Sequence, residues 1–209
     1  MSSTERGRAD TPPVDDEPDT GPIGPIPPAA AAVRRPVPAL AVPVLGGVGL
    51  AVVLGVYGRL HEPGTIAVNV AGFSGPAYVK AWLTTLAALL AVVQLVSALN
   101  MYGRIGSGSP SWVSTLHRWS GRVAVLVTVP VVVHCLYAFG FGYDSPRVLV
   151  HSLAGCLFYG AFATKMLSLP RRDLPGWALP VIGGVVFSAL VVLWLTAALW
   201  LFTTKGVHL

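Results

Sequence analysis

The sequence predicts an all-α integral membrane protein, in which five transmembrane helices form an antiparallel bundle behind a disordered N-terminal tail. Of the 209 residues, 54% are hydrophobic and only 11% are charged, whereas soluble domains average about 25% charged residues. The hydrophobic residues are collected in five runs, each close to the ~20 residues that a helix needs to cross a bilayer. Because these runs lack the alternation of transmembrane strands, helices are the structure that satisfies their backbone hydrogen bonds in lipid.

The chain begins with a segment that cannot build a core. Residues 1–36 contain eight prolines and several acidic residues, with almost no aliphatic periodicity, and this composition predicts a disordered cytoplasmic tail. The segment does not resemble a signal peptide, because it is too long and the apolar run after it exceeds an h-region. Residues 37–209 are therefore expected to form the transmembrane helical domain.

The segments between the apolar runs define the five helices in turn. A loop rich in glycine and proline (residues 59–77) follows the first helix, and a loop rich in glycine and serine (residues 103–114) follows the second. The short turn FGYDSPRV joins the third and fourth helices, which are expected to be antiparallel neighbours. In that turn Pro146 suits the first turn of a helix, and Asp144 or Ser145 can cap it. The predicted helices span residues 37–58, 79–101, 119–141, 147–168 and 177–203.

The basic residues lie around the helix ends and predict the topology. The net charge is +5, but the basic residues are scattered and form no patch, so a nucleic-acid partner is not expected. With the N-terminus inside, eight basic residues near helix ends lie on the cytoplasmic side and four outside, as the positive-inside rule requires. Abundant Gly, Ala, Val, Pro and Arg is typical of a bacterium with a GC-rich genome. The predicted location is the bilayer of a bacterial cytoplasmic membrane, with the N-terminus inside and the C-terminus outside.

Two histidines, His134 and His151, are the candidate metal ligands. They lie ten residues before and seven residues after Asp144 in the turn, so their depths differ by about 5 Å at ~1.5 Å per residue. A neutral imidazole inside a membrane needs an acceptor for its N–H and a donor or a metal for its lone pair. Two histidines at matched depth on facing helices can hold the iron of a b-type haem.

Gly155 and Pro130 are expected to make room for such a haem. Gly155 follows His151 by one turn and leaves a notch on the same helix face. Pro130 removes a backbone N–H four residues before His134. The two helices would also have to splay, because packed helices lie about 8–10 Å apart. Otherwise each histidine would ligate with a partner from another helix.

The third membrane histidine is His117, in the motif LHRWSG that VHSLAG nearly repeats at residues 150–155. It lies a whole helix away from the turn, so it is expected at the inner face. Arg118 and Arg122 beside it are candidates for binding haem propionates, or for marking the cytoplasmic face. For His117 the alternatives are a structural hydrogen bond and a second haem shared with a methionine or a lysine.

Other interpretations of these residues stay open. The pair His134 and His151 could instead tie helices together by hydrogen bonds, or His134 could relay protons. Cys135 and Cys156 lie inside apolar runs, which predicts packing residues and neither a disulfide nor a zinc site. The chain has no phosphate-binding loop and no nucleophile elbow, so we expect no independent catalytic motif.

The motifs LHRWSGR, HC in the third helix and HSLAGCLFYGAF resemble the histidine-bearing helices of cytochrome b561 and ferric-reductase-like membrane proteins. The resemblance covers about residues 79–203, and the chain as a whole looks like an uncharacterised family of actinobacterial five-helix membrane proteins. It implies b haems on core-helix histidines that pass electrons across or along the membrane. Because the chain has three membrane histidines and not four, a single outer haem is the safer implication.

The leading hypothesis is therefore a membrane-embedded b-type cytochrome, or the membrane anchor subunit of a redox complex. It would pass electrons between a quinol pool and an extracytoplasmic redox protein, with haem b as cofactor and a quinone as a further candidate. Any enzymatic activity would be that of an electron-transfer subunit of an oxidoreductase. The alternative is a haem-free structural or assembly protein, whose histidines only form hydrogen bonds between helices.

Overall fold

The computed structural model describes residues 38–64, 73–106, 108 and 110–208. The predicted tail, residues 1–36, lies outside the described residues. Five helices in the described part are long and apolar enough to cross a membrane, with mean hydropathies between 1.3 and 2.4. The prediction of an all-α, multi-pass membrane protein is therefore confirmed. The helices are α1 Pro38–Leu60, α2 Pro76–Met101, α3 Ser111–Ala138, α4 Pro146–Ser168 and α5 Ala178–Lys205.

The largest error in the predicted boundaries is the start of the third helix. The prediction placed it at residue 119, whereas α3 begins at Ser111, eight residues earlier. Polar side chains lower the hydropathy of residues 111–118. None of these residues is a proline or glycine that would break the helix, and Val113 is buried. His117 consequently lies almost two turns inside α3.

The third helix also ends three residues earlier than predicted, at Ala138. Gly140 has a φ of +65°, a left-handed conformation that glycine adopts without strain. A Cβ atom on Gly140 would lie 2.6 Å from the carbonyl oxygen of Gly58, and the next residue, Phe141, donates its N–H to that same carbonyl at 2.7 Å. Close approach to the end of α1 therefore fixes glycine at this position.

The helices alternate in direction, so each membrane face collects different connections. We call the face that carries the start of α1 and residues 102–106, 108, 110 and 169–177 the N-terminal face. The C-terminal face carries residues 61–64, 73–75 and 139–145 and the end of α5.

Helices that follow one another in sequence are not always packed together. The extensive contacts join α1 to α4, α4 to α5, α5 to α2 and α2 to α3. The short turn joins α3 and α4 as an antiparallel pair, as expected, and the two helices stand apart along most of their length. The reason is a cavity between them, lined by both helices.

The closest helix contact is between α1 and α4. Small residues recur every four positions on both, at Gly47 and Ala51 in α1 and at Gly160 and Thr164 in α4. A Cβ atom on Gly160 would lie 2.7 Å from the carbonyl oxygen of Gly47 and 2.9 Å from the Cβ of Ala51. Backbones that approach this closely gain van der Waals contact in lipid, where no hydrophobic effect drives helices together.

Candidate functional site

A cavity of about 520 Å³ lies among α2, α3, α4 and α5 and reaches the turn at the C-terminal face. We call it the central cavity. Its volume falls within the ~300–1,000 Å³ typical of ligand and cofactor sites. Most of its wall is apolar, including Phe158, Leu190 and Leu193. Its ionisable side chains are Lys80, Cys135, Asp144, Arg147, His151, Cys156 and Tyr159.

His151 lines the central cavity from α4 and is held there by α5. Its Nδ1 lies 2.9 Å from Oγ1 of Thr196, and that hydroxyl lies 2.7 Å from the carbonyl oxygen of Val192. Because a carbonyl only accepts, the hydroxyl donates to Val192 and accepts the Nδ1–H of His151. Neutral His151 therefore keeps its lone pair on Nε2, the ring nitrogen that remains for a ligand.

Thr196 is presented by an irregular turn of α5. Residues Leu195–Leu199 form a single π-helical turn, a feature that is rare and often found at functional sites. The backbone carbonyl of Thr196 accepts a hydrogen bond from Nη1 of Arg147 at 2.7 Å. One residue of α5 thus orients a histidine through its side chain and an arginine through its backbone.

Gly155 and Tyr159 shape the rest of the α4 wall. A Cβ atom on Gly155 would meet only Leu193, at 3.9 Å, so the glycine leaves open space in the central cavity as predicted for a notch below His151. At the end farther from the turn, the hydroxyl of Tyr159 donates to Oγ1 of Thr128 at 2.9 Å. This bond ties α4 to α3 across the cavity.

His134 lies in a different place. It is 7% exposed and lines a second cavity of about 550 Å³ between α2 and α3, together with Pro130. We call this the α2–α3 groove; Val129 and Val133 on its wall are 43% and 51% exposed, so it faces the lipid. The structure therefore does not bring His134 and His151 onto one cavity, and Pro130 makes room in the groove and not beside His151.

Lys80 connects the two sites, because it lines both the groove and the central cavity. Its Nζ lies 4.2 Å from the centroid of the Phe139 ring, in cation–π geometry. Arg147, which lines the central cavity from α4, lies 3.8 Å from the centroid of the Trp200 ring.

His117 belongs to a polar cluster near the N-terminal face. Its Nδ1 lies 2.8 Å from Oγ of Ser97, and its backbone carbonyl accepts a hydrogen bond from the side chain of Gln94. The same amide nitrogen lies 2.7 Å from Oγ of Ser120. These bonds join α2 to α3, which favours the structural interpretation of His117.

Arg118 and Arg122 lie away from both cavities. Both are exposed, and Arg122 stacks over Trp119 at 5.1 Å. The structure does not bring them to His134 or His151, so among their two predicted roles it favours the marking of a membrane face.

Haem fits the donor set of the central cavity. Among the described residues, no three His, Cys, Asp or Glu side chains converge as a metal site. A porphyrin supplies most ligands of its own iron and needs only one or two axial groups from the protein. The Nε2 of His151 can supply one such group. The space at Gly155 leaves room for the macrocycle, and the cations Lys80 and Arg147 can balance the charge of its propionates.

This architecture defines a five-helix integral membrane protein with a cofactor-sized cavity toward one membrane face. The chain belongs to a family of unknown function, DUF6529, whose model matches residues 39–209 and so covers all five helices. No curated protein and no solved structure matches the chain. The resemblance to cytochrome b561 stays a prediction from the sequence motifs.

Lys80 and Arg147, which line the central cavity, and Thr196, which bonds to two of its lining residues, were not among the predicted site residues. Lys80 and Arg147 were counted only as topology markers, because the predicted helices place both at a helix end, where basic side chains reach the membrane surface. Thr196 is a single threonine in an apolar run, and nothing in its neighbourhood predicts the π-helical turn.

Proposed function

We propose that this protein is a membrane-embedded b-type cytochrome that holds one haem in the central cavity, with His151 as an axial ligand. The observation that supports the proposal most directly is the bond from Nδ1 of His151 to Thr196, because it leaves Nε2 for iron at the wall of a cavity of about 520 Å³. Metal-binding histidines nearly always donate their other N–H in this way. Haem would supply one-electron chemistry, and the chain would tune it through the axial ligand and burial.

The α2–α3 groove supports a quinol as the electron donor. It faces the lipid, where quinols dissolve, and presents His134, Lys80 and Tyr137 as hydrogen-bonding groups among valines. Lys80 lies on the walls of both sites, so a quinol in the groove would be next to the haem. An extracytoplasmic redox protein is the proposed acceptor, with the chain acting as a free cytochrome or as the anchor subunit of a redox complex.

The proposal places the N-terminal face in the cytoplasm of a bacterial cell. Six described basic residues lie toward that face and four toward the C-terminal face, which is the bias of the positive-inside rule. The central cavity then opens toward the extracytoplasmic side, where the acceptor would dock.

The test is the spectrum of the purified full-length protein from haem-replete bacterial cells. We expect a reduced-minus-oxidised spectrum of b type in the wild type and its loss in His151→Ala. The control is His208→Ala, because His208 is exposed and its Nε2 bonds to the backbone of Lys205 in its own segment. A low-spin spectrum that turns high-spin in His134→Ala would make His134 the second ligand and would contradict its proposed place in the α2–α3 groove. A colourless wild type would contradict the proposal.

The same hydrogen bonds favour a second candidate function, a haem-free structural protein. His151 bonds to α5 through Thr196 and His117 bonds to α2 through Ser97, as expected of histidines that only tie helices together. In that case the wild type is colourless, and His151→Ala lowers the thermal stability of the protein by about as much as Thr196→Val.

A further inference from the structure

Two cations of the central cavity have no anion among the described residues. Lys80 on α2 and Arg147 on α4 both line the cavity, each against its own aromatic ring, Phe139 at 4.2 Å and Trp200 at 3.8 Å. No described carboxylate forms an ion pair with either cation. The one carboxylate that lines the cavity, Asp144, is exposed in the turn.

Neither cation is fully exposed to water. Lysine and arginine near a helix end usually bury their stems and expose their heads at the membrane surface, whereas Lys80 and Arg147 are half-buried and line the cavity. Arg147 donates to the backbone carbonyl of Thr196, but neither positive charge is balanced by an anion among the described residues, and a charge held partly out of water is retained mainly where it binds something. The two cations therefore indicate an anionic group in the cavity.

The walls define the chemistry of that ligand. Away from the turn the cavity wall is mostly apolar, with Phe158, Leu190 and Leu193, and the hydroxyls of Tyr159 and Thr128 there bond to each other, so the ligand has an apolar body and its anionic groups lie toward the C-terminal face. Two cations on different helices, each against its own aromatic ring, fit two separate carboxylates better than one. Haem b has this shape, because its two propionates project from one edge of an apolar macrocycle.

We propose that Lys80 and Arg147 each bind one propionate of haem b in the central cavity. This inference rests on the proposed function and assigns to these residues the role that the sequence suggested for Arg118 and Arg122. Those two arginines are exposed and line neither cavity, so they are available as controls.

The experiment compares haem with haem dimethyl ester, whose propionates carry no charge. The full-length protein, stripped of haem, is titrated with each in detergent, as wild type, as Lys80→Met/Arg147→Met and as the control Arg122→Met. We expect wild type and Arg122→Met to bind free haem at least about tenfold more tightly than the ester, because charge-assisted hydrogen bonds are the strong ones. The Lys80→Met/Arg147→Met protein should bind both ligands equally. Its reduction potential should also be lower, since removing cations favours ferric haem.

A fourth variant separates charge from folding. Lys80→Arg/Arg147→Lys keeps both charges and should keep the preference for free haem over the ester. Monodisperse elution of each variant in size-exclusion chromatography shows that it is folded. The inference would be overturned if Lys80→Met/Arg147→Met preferred free haem over the ester as strongly as the wild type does. It would also be overturned if Arg122→Met or the charge-conserving variant lost the preference for free haem. If the wild type binds neither haem nor its ester, the proposed function falls together with this inference. If it binds haem without preferring the free acid, only this inference falls.

Discussion

Replacing Gly47 by alanine should destabilise the protein, whereas replacing Gly49, two residues away on the same helix, should not. A Cβ atom on Gly47 would overlap the carbonyl oxygen of Gly160 and Oγ1 of Thr164, and one on Gly49 would meet nothing within 4 Å. Overpacking costs about 1–3 kcal/mol, and we expect the upper end because a helix backbone cannot rotate away. Alanine regains ~0.5–1 kcal/mol of helix propensity, which leaves a net loss of about 2 kcal/mol for Gly47→Ala.

Unfolding by SDS in mixed micelles, followed by circular dichroism, measures the free energy of unfolding of both variants. Gly49→Ala should be neutral or more stable than the wild type by up to ~1 kcal/mol, since only the propensity gain applies. The two variants should therefore differ by about 2–3 kcal/mol. Equal unfolding free energies would refute the close packing of α1 on α4, and with it the assignment of Gly160 to a backbone contact.

Three further predictions concern the cavity and the topology. Thr196→Val should shift the haem reduction potential, while Thr196→Ser, which keeps the hydroxyl bonded to His151, should not. If Thr196→Val and the wild type have equal potentials, Thr196 does not position His151. Gly155→Leu should reduce the haem-to-protein ratio by about tenfold, and Gly184→Leu, which meets open space, should leave it unchanged. A C-terminal alkaline phosphatase fusion should be active and a C-terminal green fluorescent protein fusion dark, because the C-terminus is proposed to be outside; the opposite pattern would invert the topology.

The five spans could be predicted because hydropathy is a local property of the chain. Each run is long and apolar enough by itself to require a helix in lipid. The start of α3 was missed for the same reason: Ser111 to Arg118 continue the helix beyond the apolar run, and hydropathy does not register them. A rule based on helix breakers would have placed the boundary at Pro110.

Which helices pack together depends on the match between two helix surfaces, so the hydropathy of a single helix does not predict it. The short turn at Asp144 led to the expectation that α3 and α4 are antiparallel neighbours, but it does not show that small residues bring α4 to α1 and leave a cavity beside α3. The spacing of Gly47, Ala51 and Gly55 and of Gly160 and Thr164 was the available signal for that contact. Matched depth placed His134 and His151 at the same end of the bundle, but the angular position of each on its helix decides which cavity it lines.

His117 and His151 show why hydrogen bonding alone does not identify a ligand. In both, Nδ1 meets a hydroxyl, of Ser97 or of Thr196, that lies 2.7 Å from the carbonyl four residues earlier in its own helix. Both neutral imidazoles therefore keep the lone pair on Nε2. They differ in surroundings: His151 lines the central cavity with Lys80 and Arg147, and His117 lines neither cavity. If the cavity, and not the tautomer, decides which histidine binds haem, His117→Ala should lower the stability of the protein without removing haem. His151→Ala should remove the haem.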